Sequence, residues 1–196
     1  MSVVGFVVAG GGSRRMGRDK ALVPWAEGDL LGHALARLRA VTGDVRILCG
    51  PEPRYRDRGD PVETDLVHGA GPLAGVLTGL VAAAGRPGLY LAVDLPLVPV
   101  PLLARLAALA EGADAVVPVS PRGPEPLCAV YGPACLEPVR RLVAAGDLRM
   151  TSFWPEVRVR EVRPPELAAF GDPAALFHNV NTPADLPGPP PAVSGR

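Results

Sequence analysis

The amino-terminal segment combines residue types that could bind several phosphate groups at once. An apolar, β-branched run over Val3–Val8 leads into Ala9, Gly10, Gly11 and Gly12, with Ser13 next. Glycines after a buried strand let backbone N–H groups approach an anion closely. The cations Arg14, Arg15, Arg18 and Lys20 follow within the same segment. This arrangement indicates a polyphosphate site, although a glycine-rich connection with solvated arginines has the same composition.

Two standard phosphate-binding loops do not fit this segment. The Walker A pattern requires Lys-Ser/Thr after its last glycine. The interval from Gly12 to Gly17 has the right length, but Arg18-Asp19 follows it. The dinucleotide pattern G-x-G-x-x-G fails because Arg15 occupies the position of its third glycine. The loop therefore belongs to another class of phosphate site.

Two aspartates further along the chain stand where strands are expected to end. Asp94 follows the apolar run Leu89–Val93, and Asp65 follows a weak strand at Pro61–Thr64. In parallel sheets, ligands bind beyond the carboxyl ends of the strands. We therefore expect both carboxylates to lie near the glycine loop. A turn carboxylate at Asp94 and a surface acid at Asp65 are the simpler alternatives.

The segments that must position these residues alternate between strand and helix patterns. Apolar runs of strand length predict further strands at Val45–Cys49, Ala115–Val119 and Leu127–Tyr131. The alternation of valine with charged residues predicts a half-exposed strand over Val157–Val162. Helices are expected over Leu30–Val41, Gly71–Ala84, Pro101–Ala110 and Pro133–Ala145, with a loop at Pro121–Pro126 and a short helix start at Pro183–Leu186. Alternation of this kind predicts an α/β fold with a mostly parallel sheet.

Composition limits the class of protein. A chain of 196 residues with 48% hydrophobic residues suits a single α/β domain. A formal net charge of +0 argues against a nucleic-acid partner, and no apolar run approaches a membrane span. The apolar N-terminal run lacks the basic start of a signal peptide, and the three cysteines lack paired-ligand spacing. We expect a cytoplasmic protein with a domain over residues 1–186 and a disordered Pro/Gly-rich tail over residues 187–196.

Four motifs in order resemble those of the MobA-like nucleotidyltransferases, the family of molybdenum cofactor guanylyltransferases. The first is A-G-G-x-x-x-R-M-G-x-D-K over Ala9–Lys20. The others are Gly71–Gly75, the D-x-P-x-x-P turn of Asp94–Pro99, and N-V-N-T-P-x-D-L over Asn179–Leu186. Pro126–Ala129 stands where the family enters its substrate-side region. The resemblance spans almost the whole chain and implies one Rossmann-like three-layer α/β/α domain.

The resemblance also implies a reaction and a set of site residues. The family transfers GMP from GTP to the terminal phosphate of molybdopterin or Mo-molybdopterin and releases pyrophosphate, with Mg²⁺ as cofactor. Molybdenum-insertion proteins and molybdoenzyme chaperones are the implied protein partners. It implies that Lys20 and Arg15 neutralise phosphate charge, that Asp94 binds Mg²⁺, and that Asn179 and Asn181 contact molybdopterin. The implied nucleotide-binding residues are Val8, Ala9, Gly10, Gly11, Gly12, Ser13, Lys20, Asp65 and Asp94. Local turn chemistry is an equal alternative for the two asparagines.

Other functions remain open within and outside this family. A cytidylyltransferase of the same cofactor and a sugar- or polyol-phosphate nucleotidylyltransferase are the nearest rivals. Those relatives tend to have A-A-G where this chain has Ala9-Gly10-Gly11, and the cytidylyltransferase has D-x-D-T-P where this chain has an Asn-Val-Asn motif. A non-catalytic protein that binds and delivers the cofactor is the rival of another class. The chain also lacks an asparagine that the family often has near Cys49.

Overall fold

A central sheet positions the site in the computed structural model, which describes residues 2–10, 19–180 and 185. Within those residues the main sheet has eight strands, and a separate two-stranded ribbon is formed by β2 and β3. The strands are β1 Val4–Val8, β2 Pro24–Trp25, β3 Gly28–Asp29, β4 Val45–Leu48, β5 Val62–Glu63, β6 Gly88–Ala92, β7 Ala115–Ser120, β8 Gly123–Pro124, β9 Cys128–Tyr131 and β10 Val159–Val162.

The strand order of the main sheet is β10-β7-β9-β6-β1-β4-β5, with β8 paired to β7. β1 runs parallel to β4 and β6, β4 to β5, and β7 to β10. β9 runs antiparallel to both of its neighbours, β6 and β7. The chain turns back at the end of β7 through β8, so β9 starts at the edge where β7 ends. The expected mostly parallel α/β sheet is confirmed.

Helices cover both faces of the sheet and give three layers. The helices are α1 Leu30–Arg39, α2 Gly71–Ala82, α3 Val100–Leu109, α4 Leu136–Ala145, and the short α5 Pro164–Leu167 and α6 Pro173–Leu176. α1 packs beside α3 on one face, and α2 packs beside α4 on the other. In the part of the chain that the structure describes, none of these helices has the length and apolarity needed to cross a membrane.

Aromatic side chains hold the centre of the sheet together. All five residues of β1 are buried, as expected for a central strand covered on both faces. The ring of Tyr90 on β6 stacks on Phe6 at 5.1 Å and meets the edge of Tyr131 at 5.4 Å. Tyr90 also donates a hydrogen bond to the Val76 carbonyl of α2. These contacts fix β6, and with it Asp94, against its neighbours.

The three cysteines are free and buried. Burial raises the pKa of the Cys128 and Cys135 thiols to about 12. Only the thiolate is a strong nucleophile, so these two side chains act as small apolar groups in the core.

Several element boundaries differ from the sequence-based expectations. The first helix stops at Arg39 rather than Val41, because the Thr42 hydroxyl bonds the Val3 carbonyl and turns the chain toward β4. The expected loop at Pro121–Pro126 contains β8, which pairs with the end of β7. The expected helix from Pro133 starts with a 3-10 turn before α4. The helix start at Pro183–Leu186 lies outside the described residues apart from Asp185, and so does the tail over 187–196.

Candidate active site

The carboxyl ends of the parallel strands bring three of the expected site residues to one edge of the sheet. Gly10 lies just after β1, Asp65 just after β5, and Asp94 just after β6. Because β1 lies between β6 and β4, Ala9 and Gly10, which follow it, are central to this edge. The expected residues Gly11, Gly12, Ser13, Arg15 and Asn181 lie outside the described residues.

The backbone at Gly10 makes a close approach that a side chain would block. A Cβ atom at this position would lie 2.5 Å from the Gly50 nitrogen and 2.7 Å from its Cα. Gly50 in turn accepts a hydrogen bond from the Asp65 amide at 2.8 Å. The ends of β1, β4 and β5 are thus joined directly through backbone atoms. Burial raises the pKa of the Asp65 carboxyl, with His68 opposing the rise, so this carboxylate is already partly removed from water.

Backbone atoms form the edge at the position where the family often has asparagine. Cys49 is fully buried, and its thiol donates to the Glu63 carbonyl inside the sheet. Its side chain therefore offers the edge no donor. The Arg54 guanidinium instead donates to the Cys49 carbonyl at 3.0 Å. A cation from the following loop is thus bound to the end of this strand.

Lys20 and Asp94 meet at the centre of this edge, although 74 residues separate them in sequence. The Lys20 Nζ lies 2.9 Å from the Asp94 Oδ2, and the two side chains are 19% and 26% exposed. A lysine ammonium is a compact charge suited to phosphate oxygens, and a carboxylate is a hard ligand suited to Mg²⁺. The pair places a cation of a type that suits phosphate and an anion of a type that suits a metal in direct contact.

Asp19, the residue before Lys20, anchors this segment to the loop after β4. Its carboxylate accepts hydrogen bonds from the Tyr55 hydroxyl at 2.7 Å and from Arg54 at 3.0 Å. It also caps the 3-10 turn Lys20–Leu22 by accepting from the Ala21 amide. Burial and the adjacent Asp19 charge raise the pKa of Tyr55 well above its usual value, so the phenol stays protonated and donates. Of these two neighbouring residues, Asp19 thus anchors the segment, and Lys20 places its charge beside Asp94.

A buried arginine on α1 holds the turn that carries Asp94. Arg37 donates to the Leu95 carbonyl at 2.9 Å and to the Val98 carbonyl at 2.6 Å. His33, one turn earlier on α1, contacts the Pro96 carbonyl at 3.1 Å. Burial lowers the pKa of Arg37 to about 10, which still leaves it charged at neutral pH. Sequence analysis missed this residue, because a single arginine on a helix gives no sign of what it contacts.

We expect Arg37→Met to reduce the free energy of unfolding by about 2–4 kcal/mol. The substitution keeps a long apolar side chain but removes the charged donors of two carbonyls that lie in a buried turn. Urea denaturation of the purified variant measures the loss. Arg39→Met is the matched control on the same helix, because the Arg39 side chain is 52% exposed and forms one surface pair with Asp60. Its effect should stay below about 1 kcal/mol, and equal losses for both variants would contradict a specific role for Arg37.

A cavity of about 270 Å³ opens on the other side of Asp94, between β6 and the start of β9. We call it the β6–β9 cavity; its lining residues are Ala92, Asp94, Leu95, Glu125, Pro126, Leu127 and Asn179. Asn179 reaches this place because the next residue, Val180, donates its amide to the Asp94 carbonyl at 3.0 Å. Glu125 is a second functional candidate that sequence analysis missed. The only sign of it was an acid set between two prolines.

The donor set at this edge fits a magnesium ion. Among residues 2–10, 19–180 and 185, no group of three or more His, Cys, Asp or Glu side chains forms a metal cage. Mg²⁺ usually needs only one or two carboxylates, with substrate phosphates and water completing its shell. Asp94 offers such a carboxylate at the edge where the glycine loop begins. The site therefore suits a metal shared with a polyphosphate substrate.

A mostly parallel sheet with a lysine and an aspartate paired at the carboxyl edge of its parallel strands is the arrangement expected of an α/β nucleotidyltransferase. The family model for the MobA-like NTP transferase domain matches residues 5–158. This chain belongs to the MobA-like NTP transferase family.

Curated relatives and solved structures agree with this assignment. A probable molybdenum cofactor guanylyltransferase from Deinococcus radiodurans is 38% identical over 92% of this chain and 90% of its own length. Another from Pelotomaculum thermopropionicum is 34% identical over 95% and 91%, respectively. The fold matches molybdopterin-guanine dinucleotide biosynthesis protein A from Archaeoglobus fulgidus with a TM-score of 0.77 and 24% identity, covering 93% of this chain and 94% of that one.

Proposed function

We propose that this enzyme transfers GMP from GTP to the terminal phosphate of molybdopterin or its molybdenum-loaded form. An oxygen of the molybdopterin phosphate attacks the α-phosphorus of GTP and forms a phosphoric anhydride bond. The bond between the α-phosphorus and the oxygen that bridges to the β-phosphorus breaks, and that oxygen leaves with pyrophosphate. The product is the guanine dinucleotide form of the cofactor.

The observation that carries this proposal is the pairing of Lys20 with Asp94, between the ends of β1 and β5 on one side and the β6–β9 cavity on the other. On one side lie Gly10 and Asp65, whose backbone and carboxylate suit a nucleotide. On the other side lies the β6–β9 cavity, which suits an acceptor. Two anionic substrates must approach each other for this reaction, so the charge between them has to be neutralised. In this proposal Lys20 binds the α-phosphate and the leaving pyrophosphate and stabilises the charge that develops there.

Asp94 would hold the Mg²⁺ ion that the reaction needs. When bound, the metal draws charge from the phosphate oxygens and orients them. The other work is done by the protein. Arg37 fixes the turn of Asp94, and Asp19 fixes the segment of Lys20, so both charges are set before substrate arrives. Pre-set charges need no reorganisation during the reaction, which is the main source of electrostatic catalysis. Arg15 would add a second cation on the phosphate side.

Guanylyl transfer is favoured over cytidylyl transfer by two sequence features. Ala9-Gly10-Gly11 and the Asn-Val-Asn motif at Asn179 both depart from the cytidylyltransferase pattern. The relatives reported above also carry guanylyl transfer in their names. We extend the assignment from the named relatives to this chain on these grounds.

A nucleotide panel tests the proposal. The enzyme, molybdopterin and Mg²⁺ are incubated with GTP, CTP, ATP or UTP, and pyrophosphate release is followed. We expect GTP to support turnover at least about 100-fold better than CTP, as for a site that reads hydrogen-bonding groups of the base. Preference for CTP would overturn guanylyl transfer. Tight binding of GTP and molybdopterin without pyrophosphate release would instead identify a cofactor delivery protein.

A further inference from the structure

The β6–β9 cavity lies on the acceptor side of the catalytic pair. β6 is placed between β1 and β9 in the sheet. Asp94, at the end of β6, therefore separates Gly10, at the end of β1, from Glu125, at the start of β9. A volume of about 270 Å³ is just below the roughly 300–1,000 Å³ typical of pockets for drug-sized ligands. The cavity therefore suits a single ring system better than a nucleoside triphosphate.

The polar groups of the cavity define the edge of the ring that fits it. An ionised Glu125 can only accept hydrogen bonds, whereas the Asn179 amide both donates and accepts. Leu95, Pro126 and Leu127 supply apolar walls. A 2-amino-4-oxopyrimidine ring presents two adjacent N–H donors and one carbonyl acceptor along one edge. A carboxylate receives the two N–H groups in a bidentate arrangement, and an amide can donate to the carbonyl.

We propose that Glu125 recognises the pterin of the acceptor through the 2-amino and ring N–H groups, with Asn179 beside it in the same cavity. The inference rests on the proposed function, which makes a pterin the acceptor. It adds Glu125 as a specificity-determining residue and states which edge of the pterin its carboxylate binds. Recognition at this place directs the other end of the acceptor toward Asp94 and Lys20, where its phosphate must react.

The backbone at Glu125 is restrained, which holds its side chain in place for ligand recognition. Pro124 and Pro126 flank it, and each proline ring fixes its own backbone φ angle. Its amide donates to the Pro118 carbonyl at 2.9 Å, and its carbonyl accepts from the Cys128 amide at 3.0 Å. The backbone that carries the carboxylate is therefore bound to two strands of the sheet, β7 and β9.

The opposite wall of the cavity is tied to the same hairpin. Arg122, in the turn between β7 and β8, donates to the Phe177 carbonyl at 2.6 Å. This bond fixes the segment that continues to Asn179. Burial raises the pKa of the Glu125 carboxyl and the Asp94 charge adds to the rise, while Ser120 and Arg122 oppose it. A carboxylate that has already lost part of its hydration gains more from a ligand that supplies N–H donors.

A pair of ring compounds tests the recognition without any nucleotide. Pterin carries a 2-amino group, and lumazine (2,4-dioxopteridine) carries a carbonyl at the same place. Fluorescence titration of the wild-type protein should show pterin bound at least about 10-fold more tightly than lumazine. Glu125→Gln should abolish this preference, because the amide can donate to the lumazine carbonyl. No binding of pterin at millimolar concentration, or an unchanged preference in the variant, would overturn the proposal.

Steady-state kinetics separate Glu125 from other roles. With E125Q we expect the KM for molybdopterin to rise about 10- to 100-fold, with the KM for GTP and the Mg²⁺ dependence as in the wild type. A higher KM for GTP would mean that the cavity reads the guanine of the donor. A shifted Mg²⁺ dependence would mean that Glu125 binds the metal. Either result overturns the proposal, and Glu137→Gln, at an exposed position on α4, is the matched control.

The ring-compound titration keeps this test separate from the proposed function. Pterin preference is measured without GTP, so a protein that fails to transfer GMP can still show it, and an active guanylyltransferase can lack it. Should E125Q fail to fold, Glu125→Asp keeps the charge and withdraws it by one methylene group. The same loss of pterin preference is then expected, and its retention would overturn the proposal.

Discussion

Lys20→Ala should lower the rate of pyrophosphate release by about 10³-fold. The ammonium contacts Asp94 at the end of β6, beside the β6–β9 cavity, and it would stabilise charge that grows in the transition state. The loss should therefore appear mainly in kcat rather than in the KM for GTP. Turnover with GTP, molybdopterin and Mg²⁺ measures it. Wild-type turnover in this variant would show that Lys20 has no catalytic role.

Stability should change little in the same variant. The Lys20–Asp94 pair has both side chains partly exposed, and such pairs contribute about 0–1 kcal/mol. Thermal unfolding therefore separates a chemical defect from a folding defect. Arg158→Ala is the matched control, because Arg158 pairs with Asp114 at 3.0 Å at the opposite edge of the sheet, before β7 begins. It should leave turnover unchanged. Lys20→Arg keeps the charge in a broader group and should restore only part of the rate.

Asp94→Asn should remove Mg²⁺-dependent activity, with a loss of about 10³-fold or more. Metal stabilisation of a phosphoryl transition state amounts to several kcal/mol, and an amide is a much weaker ligand than a carboxylate. The substitution keeps the size of the side chain and leaves the backbone contacts of the turn in place. Turnover is measured across a Mg²⁺ titration. Activity that saturates at the wild-type level and concentration would exclude Asp94 as the metal ligand.

The two substitutions should not be additive. Residues that act as one unit cost about as much singly as together. We expect the double variant Lys20→Ala/Asp94→Asn to have about the same activity as the less active of the two single variants. Asp114→Asn serves as the control for loss of an ion-paired carboxylate, since Asp114 binds Arg158 away from the site. A double variant slower by the product of both losses would mean that Lys20 and Asp94 act at independent steps.

Local patterns in the sequence were enough to identify the fold class and to propose candidate residues for the site. A β-branched run followed by glycines, and an apolar run followed by Asp94, mark strand ends because burial and backbone freedom are local properties of the chain. Parallel strands then bring those ends to one edge. Predicted element boundaries were wrong where tertiary contacts set them. For example, α1 ends before Val41, where the Thr42 hydroxyl donates a hydrogen bond to the Val3 carbonyl. Elements of two to four residues, such as β2 and α6, are too short to leave a periodic pattern.

By itself, then, the sequence determined the α/β fold class and identified Lys20 and Asp94 as candidate site residues. The tertiary structure alone decided that these two side chains touch, because a contact across 74 residues depends on strand order and not on local spacing. It alone revealed Glu125, since the reversal of the chain through β8 brings that carboxylate beside Asp94. It also revealed the role of Arg37, because the hydrogen-bond partners of this side chain are backbone carbonyls, which residue types do not identify. Residue types and their local spacing can be read from the sequence, whereas the interaction partner of each charged side chain is set by tertiary packing.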